Sequence, residues 1–170
     1  MAGSVGAVVL VNAQSGDLLV MHSAPTYNAN LLQDNWDALN LDPAAPFFNR
    51  AAQGRYPPGP SLGPFLLART QTSGALPDSI STLQAQTPQA IITCTSLIQL
   101  PTTWEQAASA GCPGPLAELG LMLGENGLLT LLSDLGFHQT PQIRLETREA
   151  FVPKGLPTPT VAAYGQADVL

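Results

Sequence analysis

Few side chains in this sequence can form or break a covalent bond. The thiols are Cys94 and Cys112, the imidazoles His22 and His138, and the only lysine is Lys154. A thiol nucleophile needs a base and an oxyanion hole beside it, and nothing in the sequence places His22 or His138 next to Cys112. Ser61 opens an apolar stretch with helical character, Leu62 to Arg69. A lysine one helical turn on would activate such a hydroxyl, but the residue three positions later is Pro64. The histidines and cysteines show no metal-ligand spacing, so neither a metal nor a cofactor is expected. The two cysteines do not make a framework. They are expected as free, partly buried thiols, with a disulfide between them as the alternative in an oxidising compartment.

The elements that must position these residues are unusual in composition. The chain has 170 residues, of which 45% are hydrophobic and only 11% charged, against about 25% charged in an average soluble domain. It is long enough to bury a core as one domain, residues 1–170. Sixteen prolines and fifteen glycines predict many loops and turns. A formal net charge of −6 with six scattered basic residues excludes a phosphate-tracking surface, so no nucleic-acid partner is expected. No run of apolar residues is long enough to span a bilayer, and the first residues lack the basic and apolar regions of a signal peptide. Met1-Ala2-Gly3-Ser4 reads as an added start in front of an excised piece, with any export signal outside this chain.

Residues 5–23 read as a β-hairpin. Ala7 to Val11 and Leu18 to Met21 are apolar runs, and Asn12 to Asp17 between them supplies turn chemistry, with Gly16 free to take a positive φ. Runs apolar on both faces predict strands buried on both sides, under helices. Residues 24–170 read as a loop-rich, mainly helical region. Pro25, Pro43, Pro46, Pro57, Pro58, Pro60 and Pro64 break its first part into short helical turns, near Leu31 to Leu41 and Phe47 to Ala52. Thr103 is placed to cap a short helix reaching Ala110. Pro115 to Leu123 and Asn126 to Leu135 are two Leu-rich helices ended by Gly124 and Gly136, expected as a buried helical hairpin. Ile91 to Thr95 reads as a strand or a tied loop, and Glu149 to Leu170 as a mostly extended tail.

Three stretches, in order, resemble the transpeptidase domains of penicillin-binding proteins. Gly6 to Ser23, followed by Pro25-Thr26-Tyr27-Asn28, is similar to the family's opening hairpin. Asn49-Arg50-Ala51-Ala52-Gln53-Gly54-Arg55-Tyr56-Pro57-Pro58-Gly59 is similar to its approach to the nucleophile and is the most specific match. Ala117-Glu118-Leu119-Gly120, with Leu135-Gly136-Phe137 beyond it, resembles the helix after the family's second motif. A weaker fourth match, Ala163-Tyr164-Gly165-Gln166 onward, resembles the family's Gly-Gln landmark. The resemblance covers the whole chain. It implies an α+β fold, the N-terminal part of a DD-peptidase/β-lactamase-like transpeptidase domain, with the family's C-terminal strands absent.

The family acylates a serine of a Ser-x-x-Lys motif, helped by Ser-x-Asn and Lys-Thr-Gly motifs. The match at Tyr56-Pro57-Pro58-Gly59 implies a nucleophile at position 60, which is Pro60, and a lysine at 63, which is Gly63. Ser61 comes one residue late and would point about 100° round a helix from the expected direction. Counting back from Ala117, the Ser-x-Asn positions fall on Gly111, Cys112 and Pro113. The third motif lies beyond Leu170. No catalytic residue is therefore expected. What the resemblance leaves is a remnant cleft where Gly59, Pro60, Ser61 and Gly63 face Gly111, Cys112 and Pro113, lined by backbone and small apolar groups.

Three readings follow. The first is a pseudoenzyme, a transpeptidase-like domain acting as a binding or scaffold module in peptidoglycan and cell-envelope assembly, whose cleft would hold a partner's peptide segment. The second is an active penicillin-binding DD-transpeptidase with misregistered motifs. The third is a structural or oligomerisation domain without a ligand. The resemblance implies an extracytoplasmic location and a cell-envelope protein or peptidoglycan as partner. The open edge of an apolar hairpin implies a homodimer.

Overall fold

The computed structural model describes residues 5–74, 76–86, 90–150 and 152. Lys154, the Ala163 to Leu170 match and most of the expected extended tail lie outside them. The chain divides into two compact units, residues 1–55 with 140–148, and residues 56–139 with 149–170.

The first unit opens on a hairpin of β1, Gly6–Val11, and β2, Leu18–Ala24. The strands are antiparallel, running from Gly6 opposite Ala24 to Leu10 opposite Val20, with an irregularity between Leu10 and Val11. The turn forms because Asn12 is an acceptor with two uses. Its side-chain oxygen accepts from Gln14 N at 2.9 Å, and its carbonyl accepts from Gly16 N at 2.8 Å. Gly16 takes φ 78°, which a side chain would disfavour.

The expected burial on both faces is not what the structure shows. Val8, Val9, Leu10, Val11, Leu19 and Val20 are all exposed, and only Ala24 at the end of β2 is buried. Alternation and residue type set a strand's readiness for burial, but only a covering element supplies it. Among the described residues, β1 is hydrogen-bonded along one edge alone, to β2.

Beyond the hairpin the proline-rich stretch gives a 3-10 turn at Ala29–Leu31 and a short helix α1, Trp36–Leu41. Tyr27 and Trp36 both lie against Phe47, with ring centroids 4.9 and 5.2 Å apart. Arg50 organises the turn that follows. Its guanidinium donates to the carbonyls of Ala44 at 2.6 Å, Ala45 at 3.1 Å and Phe48 at 3.3 Å, and its carbon sits 5.6 Å from the Phe48 ring centroid. Ser23 ties this turn to the end of β2. Its hydroxyl donates to Phe48 O at 3.2 Å and accepts from Arg50 N at 3.0 Å. The segment 140–148 returns to the same unit, where Arg148 N donates to Ala52 O.

The second unit holds the buried core. It contains α2, Gly63–Ser73; a two-residue ladder of β3, Ala85–Gln86, with β4, Ile91–Ile92; α3, Trp104–Ser109; and α4, Pro113–Asp134. Leu66, Leu116 and Leu119 are fully buried, joined by Leu62, Leu67, Trp104, Ala107, Leu128, Leu131 and Leu132. Thr70 is buried among them because its hydroxyl donates to Leu66 O at 2.8 Å, leaving no unmet donor. The buried Trp104 likewise places its indole N–H on Pro77 O at 2.9 Å. The break expected at Gly124 is present, with φ 64° and ψ 179° inside α4. The two Leu-rich segments are separate helices that meet at that residue. Gly136, at φ 81°, ends the second segment, and Phe137 N reaches back to Leu132 O at 3.0 Å.

Candidate functional site

Two backbone segments of the second unit carry the remnant-cleft positions, Gly59 to Gly63 and Gly111 to Pro113. The first is a 3-10 turn, Gly59–Leu62, that runs directly into α2. Gly59 enters it at φ 55°, and Gly63 N donates back to Pro60 O, so the turn hands its hydrogen bonding on to the helix without a gap. Proline suits this turn because its fixed φ is preset for a helical start. Pro60 and Ser61 are exposed and Gly63 is buried. The Ser61 hydroxyl donates to Pro58 O, so it is engaged by backbone.

Gly63 occupies the position where the resemblance implies a lysine. A Cβ there would meet Leu116 Cδ2 at 3.0 Å, Ala108 O at 3.6 Å and Ala108 Cβ at 3.7 Å. The first of these is tighter than ordinary van der Waals contact. The position is one of close packing of α2 against the start of α4 and the end of α3, so an added side chain would have to displace the Leu116 methyl.

The second segment joins α3 to α4. Thr103 starts α3 with a reciprocal cap: its hydroxyl accepts from Gln106 N at 3.2 Å while the Gln106 side chain accepts from Thr103 N at 3.3 Å. Glu105 sits in the first turn. A hydrogen bond from its own backbone, then ones from Thr103 and from Gln71, hold its carboxyl below the ordinary carboxylate value. After α3 the chain turns at Gly111, φ 61°, with Gly111 N on Ala108 O and Cys112 N on Ala107 O, both at 3.0 Å. Cys112 then caps α4 and Pro113 is its first residue, both buried.

Cys112 is bonded to Cys94, which corrects the expectation of two free thiols. The bond joins the end of the β4 loop to the first turn of α4, a proximity set by tertiary packing. It also removes Cys112 as a nucleophile, since a disulfide sulfur has no thiolate to offer. His138 is exposed beyond α4, and His22 lines a hollow of about 290 Å³ in the first unit with Ser23, Pro25, Tyr27, Phe47 and Asn49.

The two segments come together at Pro60 and Gly111. A Cβ on Gly111 would lie 3.1 Å from Pro60 Cβ. It would also lie 2.5 Å from Thr95 Oγ1 and 3.3 Å from Thr95 Cγ2. Thr95 carried no motif in the sequence, and the one signal that points to it is its place next to Cys94. The surface here is proline ring, glycine backbone and the Thr95 side chain, whose hydroxyl is spent on Ala110 O at 2.7 Å.

Comparison with known proteins agrees with this architecture. A family model described as the penicillin binding protein transpeptidase domain matches residues 6–160. The peptidoglycan D,D-transpeptidase PbpA of Mycolicibacterium smegmatis is 31% identical over 152 residues, covering 80% of this chain and 31% of that protein. Penicillin-binding protein A of M. tuberculosis, solved as its penicillin G acyl-enzyme complex, superposes with a TM-score of 0.78 at 23% identity, over 96% of this chain and 42% of that one. The D,D-transpeptidase domain of an Eggerthella lenta peptidoglycan glycosyltransferase gives 0.78 at 25% identity, over 96% and 42%. The chain thus spans well under half the length of the relatives it matches.

Proposed function

The chain belongs to the penicillin-binding protein transpeptidase family, and from that premise we propose that it is a member without acylation chemistry, acting as a binding or scaffold module in peptidoglycan and cell-envelope assembly. One observation carries this reading. Where the family's motifs would set a serine, a lysine one turn on and a second hydroxyl, this chain has Pro60, Gly63 and Gly111, with Pro60 lying against Gly111 and Gly63 packed against Leu116. A serine esterifies a β-lactam only when a neighbouring group takes its proton. Neither proline nor glycine can supply the oxygen or the base.

The Cys94–Cys112 disulfide supports an extracytoplasmic location, since such bonds persist in oxidising compartments. Among the described residues no helix is long and apolar enough to cross a membrane. The scaffold reading predicts that the full-length gene product, tagged and cross-linked in its own cells, recovers cell-envelope proteins or peptidoglycan fragments while staying dark with a fluorescent penicillin. Recovery of neither, with changes at Pro60 silent in cells, would remove the scaffold role.

A second reading, an oligomerisation domain, is favoured by the exposed hairpin. The outer edge of apolar β1, without a strand beside it among the described residues, is a template for a second copy. Sedimentation would then show a dimer that Val9→Lys with Leu10→Lys converts to a monomer. A monomer in both cases sinks this reading.

A further inference from the structure

The position where the resemblance implies the second-motif hydroxyl has no side chain of its own, yet its space is filled. Gly111 is buried and turns at φ 61°. The volume a Cβ would enter holds the Thr95 side chain, whose hydroxyl oxygen stands 2.5 Å from that point and whose methyl stands 3.3 Å away. Thr95 is held there firmly. Its hydroxyl donates to Ala110 O at 2.7 Å, its N–H donates to the same oxygen at 3.0 Å, and Ser96 N adds a third bond at 3.2 Å. The residue before it is fastened by the Cys94–Cys112 bond to the residue after Gly111.

We propose that Thr95 takes the place of the missing side chain at position 111 and plugs the remnant cleft, so that this surface closes over itself and admits no substrate segment beside Pro60. Both motif loss and plug then follow from one exchange. A side chain at 111 and Thr95 in its present seat exclude each other, so restoring a serine at Gly111 alone cannot reopen the site. This rests on the family register assigned above, and it replaces the earlier expectation of an open cleft holding a partner's peptide.

Two measurements on the full-length gene product test it. In the first, thermal melting compares Gly111→Ala, Thr95→Ala, the double variant and Gly74→Ala. Gly74 has φ 70° with nothing within 4 Å of a Cβ, so it reports the backbone penalty alone. Gly111→Ala is expected to lower Tm by about 8 °C and Gly74→Ala by about 3 °C. Thr95→Ala removes both threonine atoms that would clash, so the double variant should melt about 4 °C above the additive value. Additive losses would overturn the plug. In the second, hydrogen exchange on the unmodified protein should protect the Thr95 and Ser96 amides as strongly as core amides of α2, whereas exchange at unstructured-peptide rates would overturn it. The reading of a family member without acylation chemistry fails by a different sign, acylation of the unmodified protein, which neither measurement produces.

Discussion

Arg50 and Pro60 lie on either side of the same Tyr56-Pro57-Pro58 run and have opposite fates. Arg50, at a position where the chain keeps the family's residue, holds three carbonyls and stacks on Phe48. Pro60, where it departs, accepts one helix-start hydrogen bond on its carbonyl and presents a ring to solvent. The difference separates what a fold needs from what a reaction needs. Removing a guanidinium that satisfies three carbonyls, two of them part-buried, destabilises the protein. Replacing a nucleophile by a residue whose φ suits a 3-10 turn leaves the fold intact and removes only the chemistry.

Four substitutions would break or sharpen that contrast. The largest effect should come from the scaffold side, at the disulfide. The Cys94 and Cys112 pair closes a separation of 18 residues, so Cys94→Ser with Cys112→Ser should lower stability by about 3 kcal/mol in urea unfolding. Arg50→Ala should follow at about 2 kcal/mol, because the lost bonds are charge-assisted. On the chemistry side, Pro60→Ser should change stability by no more than about 1 kcal/mol and should leave the protein unlabelled by fluorescent penicillin, since no lysine accompanies the serine. Labelling of that variant would mean that a base is present after all.

The smallest effect belongs to Glu105. Its carboxyl is held below the ordinary value, chiefly by its own backbone N–H. The folded form therefore favours the charged state, and the stabilisation is present above the ordinary carboxylate range and lost as pH falls through the lowered value. Glu105→Gln should thus be slightly less stable than the unmodified protein at pH 7, with the gap closing on acidification. Full exposure keeps the gap small, and a gap that widened in acid would contradict the assignment.

What was legible in the sequence was local. The turn at Asn12 to Asp17, the cap at Thr103, the start of α2 around Pro64 and the break at Gly124 are each decided by residues within a turn of one another. The family register assigned positions 60 and 63 through Asn49 to Gly59, and positions 111 to 113 through Ala117 to Gly120. What was hidden depends on distant partners. Exposure of β1 turns on what covers it, and alternation cannot report that. The disulfide depends on a Cα separation of 4.0 Å between residues 18 apart. Thr95 is the sharpest case, a loop residue of ordinary type whose importance comes only from closing over Gly111.

Incubating the full-length gene product with excess penicillin G and weighing it intact tests the central claim most directly, with an active transpeptidase of the family alongside. The active enzyme should gain one penicilloyl adduct while this protein's mass is unchanged. An adduct of that mass on this protein, mapped by peptide analysis to Ser61 or any other single residue, would contradict the account and identify the nucleophile that Pro60 is argued to have displaced.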